Sequence, residues 1–123
     1  MKEEPKSLPA IKCDALGRKG TALLPLEKLK KNSPRGVSYE KEIHDFLLTN
    51  FNGYTVCSGN ISGHWKDDSG KDHYGEHREY RVAIPTVEIE QFFRAYLAGL
   101  AAEIEEECIY LELGSELYLV YRN

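Results

Sequence analysis

Apolar positions along the chain follow two spacings, and the switches between them mark the elements. Tyr39, Ile43, Phe46, Leu47 and Asn50 recur at helical spacing. Ser38 stands ahead of them as an N-cap, and Asn52-Gly53 follows Phe51 as a left-handed stop. A clearer stripe of Ile89, Phe92, Phe93, Tyr96, Leu97, Leu100 and Ile104 predicts a helix from Val87 to about Glu106, capped by Thr86. Between the helices, Tyr54 to Trp65 and Asp72 to Ile84 are rich in Thr, Val, Ile and aromatics and read as strands. "KDDSGKD" joins them as a type I turn with a glycine bulge at Gly70. "CIYLELGSELYLVY" predicts a terminal hairpin turning at Gly114-Ser115. The front of the chain is ambiguous. Its apolar runs around "GRKG" fit either two short strands or one strand at Thr21 to Leu26 behind an irregular arm.

The order is therefore strand, helix, hairpin, helix, hairpin. Two helices that must each bury a stripe, beside strands that alternate, predict an α+β fold: a ferredoxin-like antiparallel sheet with both helices on one face and a C-terminal β-hairpin. Residues 1–16 form an N-terminal arm, its first seven residues polar and loosely attached, and residues 17–123 form a single domain. The other sheet face is left for solvent, a ligand or a second subunit.

The hairpin from Ile61 to Tyr80 holds three of the four histidines and the only tryptophan. Pairing Lys66 with Asp72 sets Trp65 opposite His73, His64 opposite Tyr74, Gly63 opposite Gly75 and Ile61 opposite His77. Continued regularly, it sets Cys57 opposite Arg81. One face then carries Cys57, Ile61, Trp65, His73 and His77. The other carries Val56, Tyr80, Val82 and Ile84, with His64 further out, and looks toward the helices. His73 and His77 are about 13 Å apart along one strand, too far to share a metal with bonds near 2 Å. Gly63 opposite Gly75 leaves a bare strip of backbone where a ligand or another chain can approach. His44 falls off its helix stripe and reads as a solvated residue.

Composition narrows the classes. The 123 residues are 41% apolar and 29% charged, ordinary for one globular domain. No apolar run approaches the roughly 18 residues of a membrane span, and the N-terminus lacks the apolar core of a secretory signal. A cytoplasmic location is the expectation. The cysteines Cys13, Cys57 and Cys108 are too scattered for a disulfide framework or zinc ribbon and read as small buried hydrophobes. A net charge of −4 speaks against nucleic acid. The basic residues Lys28, Lys30, Lys31 and Arg35 are a mild local excess, and the four glutamates from Glu103 to Glu107 read as a solvated acidic face. No phosphate loop, nucleophile elbow or zinc-protease motif is present.

"FNGYTVCSGNISGHWKDDSGK", then "EYRVAIP", a long helix and "CIYLELGSELYLV" resemble a group of small bacterial proteins without assigned activity, marked by F-x-G-Y-T and a glycine-spaced strand ending G-x-W. The resemblance covers about residues 38 to 121 and implies a ferredoxin-like, self-associating subunit. It implies no catalytic residue.

These readings converge on a non-enzymatic homo-oligomer, a dimer before any larger assembly, or a partner-binding domain acting through its open sheet face. The candidate surface is Ile61, Trp65, His73, His77, Glu79 and Arg81, with no metal and no cofactor. The alternative is a small-molecule enzyme or sensor with a pocket at that face or at a subunit interface. His64, His73, His77, Glu79 and Arg81 would then be its acid–base or anion-binding groups.

Overall fold

The computed structural model describes residues 7–123, and all their side chains except those of Ser58 and Asn60. Eight elements follow in order: β1 (Arg18–Pro25), α1 (Leu26–Leu29), α2 (Tyr39–Phe51), β2 (Thr55–Lys66), β3 (Asp72–Ile84), α3 (Val87–Glu103), β4 (Cys108–Leu113) and β5 (Glu116–Tyr121). The strands form one antiparallel sheet in the order β2-β3-β1-β4-β5. The protein is α+β, as its pattern predicts. The front of the chain resolves into the single strand β1, preceded by residues 7–17 without regular structure. The polar stretch expected to be loosely attached lies, but for Ser7, outside the described residues.

Local chemistry sets the element ends. The Ser38 hydroxyl accepts the Lys41 N–H at 3.1 Å, and the Thr86 hydroxyl accepts the Ile89 N–H at 3.2 Å. Asn52 takes φ 60° and stops α2. The second long helix ends at Glu103, three residues before the limit set by its apolar stripe. Glu105 turns to φ 60° there, and the Glu106 N–H closes back on the Ala101 carbonyl. Three more carboxylates at the negative end of the helix dipole would disfavour extending it.

One core joins sheet and helices. Ala22 and Leu24 of β1, Tyr80, Val82 and Ile84 of β3, and Ile109, Leu111 and Leu113 of β4 meet Ile43 and Leu47 of α2 and Phe93, Leu97 and Leu100 of α3. The two long helices touch through Phe46 and Tyr96, whose rings stack 3.6 Å apart at 6°. Both therefore cover the same sheet face, and the opposite face has no helix over it.

The cysteines depart from expectation. Cys13 and Cys57 are exposed and Cys108 is half-buried. Cys13 belongs to the segment ahead of β1, and Cys57 and Cys108 stand on the face without helices. Burial, then Glu107 and Glu106, pushes the Cys108 thiol above its usual range. His44 is not simply solvated, since its Nδ1 lies 2.7 Å from the Tyr54 hydroxyl.

Candidate binding surface

The hairpin register runs as the sequence predicts, from Lys66 opposite Asp72 to Ile61 opposite His77. It then breaks between Ile61 and Cys57, and Cys57 meets Glu79 instead of Arg81. Four steps along β2 match two along β3, so the bulge takes up an even number of residues and the faces are kept. Ile61, Trp65, His73, His77, Glu79 and Arg81 therefore share the uncovered face. His64 lies on the other side, against Tyr74 at 4.9 Å.

β1 ends at Pro25 opposite His77, so β3 projects beyond it, paired only with β2. Trp65 stacks on His73 in this overhang, ring centres 5.2 Å apart and 12° from parallel, and His77 approaches edge-on at 6.5 Å. Asp67 anchors the tip. One oxygen accepts from the Ser69 hydroxyl and from the Ser69 and Lys71 N–H groups, while the other lies 2.8 Å from His73 Nε2. The Ser69 hydroxyl first, then His73 and the Lys71 N–H, hold this carboxyl well below the usual carboxylate range.

The bare strip expected at Gly63 and Gly75 is already filled. A Cβ at Gly63 would meet His77 Cε1 at 3.0 Å, and one at Gly75 would meet it at 3.2 Å. The imidazole lies over both glycines, its Nδ1 3.1 Å from the Gly75 carbonyl. The glycines make room for the protein's own histidine.

A cleft of about 430 Å³ opens where β3 passes the end of β1. Pro25, Leu26, Trp65, Tyr74 and His77 line it, and Glu27, Glu76, Glu106 and Lys30 supply its charge. Of the six candidate surface residues, only Trp65 and His77 reach it. Glu79 and Arg81 pair with each other along β3 at 3.3 Å. Arg81 instead borders a broader hollow of about 720 Å³ between residues 15–17 and the start of β2. Among the described residues, no three His, Cys, Asp or Glu side chains gather to hold a metal ion.

At its β5 edge the uncovered face turns apolar. One row reads Thr55, Arg81, Thr21, Glu112, Leu117, and the next Cys57, Glu79, Leu23, Tyr110, Leu119. Leu117, Leu119 and Tyr121 of β5 are 63%, 53% and 57% exposed. The sequence reading passed over them. Their signal was the run "LYLVY", apolar at both parities of a strand with only one face on the core.

The chain matches no protein-family model and no curated protein. It is similar in structure to a phage SAM lyase in complex with S-methyl-5'-thioadenosine, with a TM-score of 0.57 and 10% sequence identity. The match covers 94% of this chain and 96% of that one. The likeness is one of fold. It runs through both chains nearly end to end, so sheet and helices together belong to the shared architecture.

Two of the four basic residues are paired within the fold, while Lys30 and Lys31 are exposed. Lys28 Nζ donates to the Ile104 carbonyl and lies 3.7 Å from Glu106, while Arg35 is held by Glu42 and Glu103. No helix among the described residues is long and apolar enough to cross a membrane.

Proposed function

We propose that the chain is a homo-oligomeric, partner-binding α+β subunit on a ferredoxin-like frame, and that its uncovered sheet face is the working surface. The order β2-β3-β1-β4, with helices after β1 and β3, supports that frame, β5 being an added edge. The observation that carries the function is the exposure of Leu117, Leu119 and Tyr121 on one side of one strand. Grouped apolar side chains of this size mark contact sites more often than solvated surface. Light scattering across the size-exclusion peak tests the reading. An oligomer that Leu119→Asp converts to a folded monomer is the expected result, and a native monomer at high micromolar concentration would end it.

A second reading is favoured by the cleft beside Trp65. Its aromatic wall and mixed charge suit a small polar ligand with a flat ring. The structural neighbour is seen with S-methyl-5'-thioadenosine, which makes that compound the first probe. Quenching of Trp65 fluorescence and a rise in melting temperature would support the reading. Neither effect at millimolar probe would count against it.

A further inference from the structure

The sheet has two edges, and they differ in kind. β2 is interrupted between Cys57 and Ile61 and carries Gly59 and Gly63, features that blunt an edge against further pairing. β5 pairs with β4 from Leu113–Glu116 to Cys108–Tyr121 without a break. Its two-residue turn at Gly114-Ser115, with Gly114 at φ 60°, makes Leu113 and Glu116 the closing hydrogen-bonded pair. Glu116, Tyr118 and Val120 then turn their N–H and C=O groups toward β4. Leu117, Leu119 and Tyr121 turn theirs outward. The Arg122 N–H, which donates to the Glu107 carbonyl, continues the inward set. Asn123 bends away from the edge to donate its N–H to the Ala98 carbonyl of α3.

The residues with free backbone groups are thus the ones with exposed apolar side chains. Between Glu116 and Arg122 the strand carries no charge.

We propose that a second copy of this chain adds to this edge, β5 against β5 and antiparallel about a two-fold axis, giving one continuous ten-stranded sheet. The proposal rests on the reading that the chain self-associates, and it specifies how. Outward groups pair only with outward groups, so odd-numbered residues must face odd-numbered residues. Centring Leu119 on the partner's Leu119 sets Leu117 opposite the partner's Tyr121 and Glu116 opposite the partner's Arg122. This register gives about six backbone hydrogen bonds, joins the two apolar rows into one stripe, and closes both ends with opposite charges. Shifting by two residues either way leaves Glu116 without Arg122. The two-fold keeps both helix layers on the same side.

The test uses the full chain and charge reversal. Glu116→Arg and Arg122→Glu should each weaken self-association by roughly tenfold or more, since each sets like charges opposite at both ends. An equimolar mixture of the two variants should associate as heterodimers at close to native strength, because each mismatch then becomes a match. Leu119→Pro removes an outward N–H that the ladder to β4 does not use, and should give a monomer with an unchanged far-ultraviolet circular dichroism spectrum. Variants as dimeric as the parent would overturn the proposal, as would a mixture that fails to associate. A dimer indifferent to all three changes but split by Trp65→Ala would overturn edge pairing while leaving the sheet face as the contact. A native monomer would end both.

Discussion

The Trp65 indole lies flat against the His73 imidazole, and Asp67 holds that imidazole from the other side of the turn. A residue in the tip loop thereby sets the orientation of an aromatic side chain on the uncovered face. The chain of contacts runs from a turn carboxylate through a histidine ring to the wall of the cleft.

Asp67→Ala should loosen this chain. Amide exchange at Ser69 and Lys71 is expected to speed up, and Trp65 fluorescence to shift toward that of a more solvated indole. The pH dependence follows from the depressed carboxyl. A group with a folded pKa below its ordinary 3.8 adds stability above that value and loses it as pH falls through the folded pKa. The parent hairpin should therefore weaken in acid below about pH 4, and the variant should lack that acid-dependent loss.

Thr21→Val should stabilise the fold. Thr21 is only 1% exposed although it sits on the uncovered face, between Arg81 and Glu112, and its hydroxyl has no hydrogen-bond partner. Replacing the hydroxyl by a methyl of the same shape removes a desolvation cost of about 1–3 kcal/mol. Urea unfolding should show a higher midpoint with an unchanged slope.

Gly17→Ala should destabilise by about 1–3 kcal/mol. Gly17 has φ +118°, and a Cβ there would lie 2.2 Å from the Ile84 carbonyl oxygen. The strain is backbone against backbone and cannot be relieved by turning a side chain. Thermal unfolding should fall while the size-exclusion profile stays native.

Arg35→Met should flatten the acid limb of the stability curve. Arg35 holds the Glu42 carboxyl below its ordinary 4.5, with help from Ser33 and against partial burial. A depressed carboxyl contributes above the ordinary value and loses its contribution as pH falls through the folded one. Unfolding measured from pH 7 to pH 3 should show a smaller acid loss in the variant.

Much of the frame was legible because it rests on periodicity. α3 and the last hairpin follow from their spacing, and the outer register of β2 and β3 follows from one glycine-bulged turn. What was missed depends on distance in space. The four-residue α1 has no stripe of its own, and Glu27, Lys30 and Glu106 reach the cleft only because β3 outruns β1. Cys57 keeps its expected face but meets Glu79 in place of Arg81, because a bulge leaves little trace in sequence beyond Gly59. The bare strip was misjudged for a different reason. Paired glycines show that room is made for something, and it is the folded hairpin that brings His77 in to fill it.

The irregular stretch between Cys57 and Ile61 restricts how this chain can lengthen or shorten. Deleting one residue there would invert the outer hairpin, swinging Ile61 and Trp65 to the helix side and bringing His64 out in their place. Deleting two would shorten the strand and leave every side chain facing as before. Natural variation at this point should therefore come in steps of two.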